Sequence, residues 1–188
     1  MTAIPQYLRA LSSAATLCVL LVLHGCVSAM PQSDIRSPGE RLDDKELTRK
    51  VKNEIYKELG QLRDERIRVS VYQRIVLLTG QLSTSERKQL VSTAAYRVEN
   101  VRIVQNEVLT EPVRTVIGRT SDSVLSMLAR SKLAEDEKAP NDRLAMVVDK
   151  GTIYLLGIVT RSEGRAAAEA VRYIRGVQKV VTVFDYLD

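Results

Sequence analysis

Tryptophan is absent from the 188-residue sequence, phenylalanine occurs once, and the one histidine is His24. The two cysteines, Cys18 and Cys26, both fall near the N-terminus. These absences remove much chemistry from the rest of the chain. Past residue 26 there is no thiol or imidazole for a disulfide framework, a zinc knuckle, a Ser-His-Asp or Cys-His nucleophile, or a His-ligated catalytic zinc. No GxxxxGK[ST] or GxGxxG stretch offers a loop to cradle phosphate, and no cofactor is implied. The carboxylates of Asp43-Asp44 and Glu135-Asp136-Glu137 lie in polar connecting stretches and read as solvated charge. Only a carboxylate-only or Ser-Lys hydrolase remains as an enzymatic reading, and the sequence reads as non-catalytic.

A long apolar span is also missing from the start of the chain. The run Ala14–Leu23 has ten residues, whereas a membrane-crossing helix needs about 20. With Arg9 and the N-terminal amine before it, this length fits the core of a secretory leader. Leu23-His24-Gly25-Cys26 follows, and it resembles a bacterial lipobox: Leu three before Cys, a small residue directly before it, with His24 as the departure. The resemblance implies that Cys26 carries diacylglycerol as a thioether and becomes an acylated N-terminus. One acyl chain holds a protein to a bilayer marginally and several hold it stably, at about 0.8 kcal/mol per buried CH₂. The alternative is an ordinary leader cut after Ala29. Val27 in place of Asp implies, by the sorting rule of enteric bacteria, the outer membrane, with the protein facing the periplasm. Loss of the leader lowers the formal net charge from +5 to about +4, since Arg9 is the only charged side chain removed.

That modest positive charge favours an anionic partner, a membrane surface or a nucleic acid. Nucleic acid would need a clustered basic face, and the excess here is scattered along a chain that reads as exported. Val27 to Asp43 is rich in Pro, Ser and charge and reads as a flexible tether. Its 17 residues reach about 55–60 Å when extended.

After the tether the sequence repeats itself. Aligning Gly80 with Gly157 places Leu77-Leu78 on Tyr154-Leu155, Leu82 on Val159, and Ser85-Glu86 on Ser162-Glu163. Past a one-residue gap, Asn100-Val101 falls on Gly176-Val177 and Val104 on Val180. Each copy reads helix, strand, strand, helix, strand. Leu47, Val51, Ile55 and Leu59 recur at four-residue spacing on the first helix, with Asp43 or Asp44 as N-cap. A tight hairpin joins the first two strands, turning at Asp149-Lys150-Gly151 in the second copy. Thr84 or Ser85 caps the second helix. Tyr72, Tyr154, Tyr173 and Tyr186 read as packing residues of strands and helices. Copies of this size are marginal alone, so the two are expected to pack together.

The run Gly157-Ile158-Val159, Glu163, Gly176-Val177, Val180, with its weaker counterpart Gly80-Gln81-Leu82, Glu86, Asn100-Val101, Val104, resembles the BON-domain pattern. With the lipobox, the chain is similar to dual-BON-domain outer-membrane lipoproteins over residues 44–188. The resemblance implies an α+β fold of two tandem BON domains, each an αββαβ unit with a small three-stranded mixed sheet covered by two helices. The expected division is leader 1–25, lipidated tether 26–43, first domain 44–111 and second domain 112–188. It also implies a non-catalytic role in outer-membrane integrity and division-site placement through phospholipid binding. In such proteins the first helix of the second domain meets anionic lipid with an aromatic residue at its start. The matching position here is Val124, which lacks the amphipathic ring favoured at bilayer interfaces.

The stretch Ser121–Leu133 yields its own reading. At about 100° per residue, Leu125, Ala129 and Leu133 form one inward ridge. Val124 and Leu128 form a second, and Met127 lies nearly opposite the first. A small-domain helix needs one apolar stripe, so the others are surplus, beside Arg119, Arg130 and Lys132. Either they meet an anionic phospholipid surface, where each nearby basic residue contributes about 1 kcal/mol, or they pack on the first domain or on "EPVRTVIGR". The corresponding rival function is a periplasmic scaffold binding an envelope or division protein.

Overall fold

The computed structural model describes residues 34–60, 65–110 and 119–188. Cys26 and the tether before Asp34 lie outside them. Helix α1 (Pro38–Leu59) begins well before the expected cap at Asp43 or Asp44. Ser37 is the N-cap. Its hydroxyl accepts from the Glu40 N–H, the Glu40 carboxylate accepts from the Ser37 N–H at 2.7 Å, and Pro38 occupies the first turn. This reciprocal cap, with Pro where no N–H is needed, starts the helix early and makes the last expected tether residues, 38–43, helical. Leu47, Val51, Ile55 and Leu59 are its buried ridge, as their spacing indicates.

Strands β1 (Arg66–Tyr72) and β2 (Ile75–Gln81) form an antiparallel hairpin, and β3 (Ile103–Asn106) joins β2 in parallel after helix α2 (Ser85–Tyr96). The second copy follows the same plan: α3 (Arg119–Glu135), β4 (Leu144–Asp149), β5 (Thr152–Val159), α4 (Arg161–Arg172) and β6 (Lys179–Tyr186), with strand order β4-β5-β6. Thr84 and Thr160 cap α2 and α4. Each unit is therefore αββαβ with a three-stranded mixed sheet.

The aligned glycines have a steric cause. A Cβ on Gly80 would sit 2.0 Å from the Arg66 carbonyl oxygen, and one on Gly157 would sit 2.6 Å from that of Arg143. Both hairpins turn through two residues of positive φ, Gln73 (47°) and Arg74 (68°) in the first and Lys150 (50°) and Gly151 (72°) in the second. This twist matches that of the flanking strands, but left-handed backbone costs a non-glycine residue about 1–2 kcal/mol. An aspartate of the preceding helix holds each turn. Gln73 and Arg74 N–H donate to Asp44 at 2.7 and 3.1 Å, and Lys150 and Gly151 N–H donate to Asp122, each at 2.9 Å. Asp44 is thus 5 % exposed, a buried clamp and not the solvated charge expected of it.

Three apolar clusters form the core. Alternate residues of β2, Val76 and Leu78, pack beneath α1 and α2, and Ile153 and Leu155 of β5 pack beneath α3 and α4. The residues between them, Ile75, Leu77, Tyr154 and Leu156, join Tyr72 and Val183 in a third cluster where the two sheets meet face to face. The layers run helices, sheet, sheet, helices, so β2 and β5 are covered on both faces and their sequences are almost unbroken apolar runs. Arg66 and Arg68 lie 3.7 and 3.8 Å from Asp149 across this junction, Lys179 lies 3.4 Å from Glu107, and Arg102 pairs with Asp185. All three clusters fall between Leu47 and Val183, so the segment from Ser33 carries its own complete core.

Candidate membrane-facing surface

Helix α3 buries one ridge. Leu125, Ala129 and Leu133 are 5 %, 0 % and 1 % exposed, as the helical spacing requires. Val124, Met127 and Leu128 are 48 %, 64 % and 45 % exposed. The alternative in which these three side chains are enclosed by the first domain is not what the fold contains, since that domain meets the second through the opposite face of the sheet. An outer helical layer therefore carries three large apolar side chains that contribute little to folding. The clamp at Asp122 fixes the start of α3 against the β4–β5 turn, which sets the direction in which this ridge points.

The expected cations differ in their surroundings. Arg119 opens α3, but its side chain is outside the described residues. Arg130 is exposed. Lys132 lies 2.6 Å from Glu135 as an i,i+3 pair, which, with a hydrogen bond from Ser131, holds the Glu135 carboxyl below the usual carboxylate range. A fully exposed pair of this kind is weak, so a phosphate can compete for Lys132.

The end of the tether is anchored, which sequence reasoning missed. The Arg36 guanidinium donates to Asp34 and, at 2.6 Å, to Asp44, and it lies 4.3 Å from the centre of the Tyr72 ring. Hydrogen bonding to Arg36 holds the Asp34 carboxyl below its ordinary value. Burial pushes the Tyr72 hydroxyl up to about 12. The Ile35 N–H donates to the Asp142 carbonyl at 3.2 Å. Asp142 belongs to the connection between α3 and β4, so residue 35 is held against that connection. The signal for the clamps was available: an aspartate precedes each hairpin turn by nearly the same interval, Asp44 before Gln73 and Asp122 before Lys150.

Two tyrosines depart from expectation. Tyr72 and Tyr154 are buried, but Tyr173 is 78 % exposed and Tyr186 is 41 % exposed. Among the described residues no cluster of acidic groups is placed to hold a metal ion, and no helix is long and apolar enough to cross a membrane. The hollow between α1 and the α2–β3 connection, of about 310 Å³, is lined by Asp43, Glu46, Lys50, Arg74 and Glu99, with Leu47 and Asn100.

The BON-domain family model matches residues 43–112 and 121–188. The outer membrane lipoprotein DolP of Haemophilus influenzae is 34 % identical over 172 residues, covering 91 % of this chain and 89 % of that protein. A 21 kDa hemolysin of Actinobacillus pleuropneumoniae is 32 % identical over 156 residues, covering 82 % and 79 % respectively.

Proposed function

Because the chain belongs to the BON-domain family and carries two copies of the domain, we propose that it is a non-catalytic envelope lipoprotein of the outer membrane that binds anionic phospholipid through α3. The observation that carries this reading is the exposure of Val124, Met127 and Leu128 on a helix whose inward ridge is already buried. An apolar ridge beside basic residues suits an anionic headgroup layer. There the apolar side chains enter the acyl boundary and each cation contributes about 1 kcal/mol. Acylation of Cys26 holds the body near the bilayer. The lipoprotein character of the similar DolP protein supports this placement, as does the lipobox.

Co-sedimentation with vesicles tests the reading, using the segment from Ser33 so that no acyl chain contributes. Binding is expected to vesicles containing phosphatidylglycerol, to weaken as salt shortens the Debye length below about 8 Å, and to be lost in Val124→Asp/Leu128→Asp. Equal binding to neutral and anionic vesicles would remove the electrostatic half of the proposal. The scaffold alternative rests on β6, an eight-residue edge strand hydrogen-bonded on one side only, which suits strand addition by a protein partner. It predicts capture of an envelope protein without vesicles, unaffected by the α3 substitutions.

A further inference from the structure

The second domain lacks an aromatic residue at the start of α3, yet an exposed ring stands at the same end of the same layer. Helix α3 starts beside the β4–β5 turn, where Asp122 receives the Lys150 and Gly151 N–H groups at 2.9 Å. Helix α4 ends there too, because just after it the Gln178 N–H donates to the Gly151 carbonyl at 2.9 Å. The two helices therefore lie antiparallel on the outer face of one sheet, with the first turn of α3 beside the last turn of α4. Tyr173 is the C-cap of α4. On the α4 helical wheel it falls opposite the buried Gly164, Ala167 and Val171, so it points away from the sheet, as its 78 % exposure indicates.

The surroundings of this ring are basic. The Arg172 guanidinium lies 4.9 Å from the ring centre and is paired with Glu169 at 2.6 Å. Arg175 is exposed in the turn that follows, and Arg165 is exposed two turns earlier on α4. A tyrosine exposed at the end of a helix stabilises no core. Its apolar ring, polar hydroxyl and adjoining guanidinium groups have the chemistry of a bilayer interface, where amphipathic rings sit at headgroup depth and cations meet phosphate.

We propose that Tyr173 is the interfacial aromatic of the lipid-binding surface, supplied by α4, with Arg172 and Arg175 as its phosphate contacts. The membrane-facing surface is then a pair of helix ends, Val124, Met127 and Leu128 from α3 and Tyr173 with its two arginines from α4. This rests on the proposed binding of anionic phospholipid by α3 and adds a second helix to that site.

The absence of tryptophan from the chain gives a direct test. In the segment from Ser33, Tyr173→Trp, Val124→Trp and Tyr56→Trp each create a single reporter. Tyr56 lies on α1, in the opposite helical layer, and is 46 % exposed. On adding phosphatidylglycerol vesicles, emission from positions 173 and 124 is expected to shift to shorter wavelength and to be quenched by brominated acyl chains, with position 56 unchanged. Arg172→Gln/Arg175→Gln is expected to weaken binding by about 25-fold, about fivefold for each positive charge lost, with a melting temperature changed little, because the Arg172–Glu169 pair is exposed. A response at position 124 with none at 173 would overturn the inference and leave α3 as the whole site. Silence at both positions would overturn the α3 reading itself.

Discussion

At the scale of single residues, a few polar groups that the repeat pattern did not reveal hold the hairpin turns and the entry of the chain. Asp44 holds two turn amides and Arg36 at once, so Asp44→Ala leaves buried donors unpaired. It is expected to destabilise the chain by about 3 kcal/mol in chemical denaturation. Asp122→Ala should cost less, because Gly151 takes its positive φ without strain. Gln73→Gly should stabilise by about 1 kcal/mol, since it relieves a left-handed non-glycine and removes a buried amide oxygen without a partner. Asp34 titrates in a defined direction. Its folded value is depressed, so its contribution is present above the unfolded value near 3.8 and is lost as pH falls through the folded one. Acidification below pH 4 should therefore release residues 34–36 before the core melts, visible as loss of protection of the Ile35 amide from hydrogen exchange. The recurrence of an aspartate about 30 residues before each turn was the one trace of the clamps in the sequence, while the contacts of Arg36 with Asp34 and Asp44 had none. The left-handed site after the second helix was partly legible. Asn100 (φ 69°) stands where the second copy has Gly176 (φ 101°), and asparagine tolerates that conformation better than most residues.

At the scale of elements, periodicity located the helices and strands well, and it separated the two ridges of α3. The buried ridge obeyed the 3.6-residue repeat because it meets a flat sheet. The surplus ridge was recognisable by arithmetic alone, but its exposure required the fold. Leu125→Ala should destabilise by about 2–5 kcal/mol, whereas Leu128→Ala should change stability by about 0.5 kcal/mol or less while weakening vesicle binding. Equal losses of stability in the two variants would mean that both ridges are core. The start of α1 was misplaced because Asp43-Asp44 looks like a cap in isolation. Ser37-Pro38 with Glu40 forms the stronger local signal, and Asp44 is needed elsewhere.

At the scale of the whole molecule, two small domains that would each be marginal share a third core between their sheets. The small size of each copy called for the two to pack together, and the structure supplies the face: β2 and β5, apolar on both sides, cover each other through Ile75, Leu77, Tyr154 and Leu156. A single cooperative unfolding transition is expected for the segment from Ser33, and Leu77→Lys, in the first sheet, should lower the stability of both domains together. Two separated transitions would contradict the shared core. The same packing puts the helices of the second domain on an outer layer, free to meet a surface, while Arg36 ties residues 34–36 to Asp44 and Tyr72 of the first domain.

The most direct test of membrane docking uses the absence of cysteine from the segment beginning at Ser33. A nitroxide placed on Met127→Cys, with Tyr56→Cys as the control on the opposite layer, reports contact with oxygen dissolved in lipid against a water-soluble relaxation agent. With phosphatidylglycerol vesicles, the label at position 127 is predicted to gain oxygen accessibility and lose contact with the aqueous agent, while the label at 56 is unchanged. A label at 127 that stays in water while the protein is bound to the vesicles would contradict docking through α3.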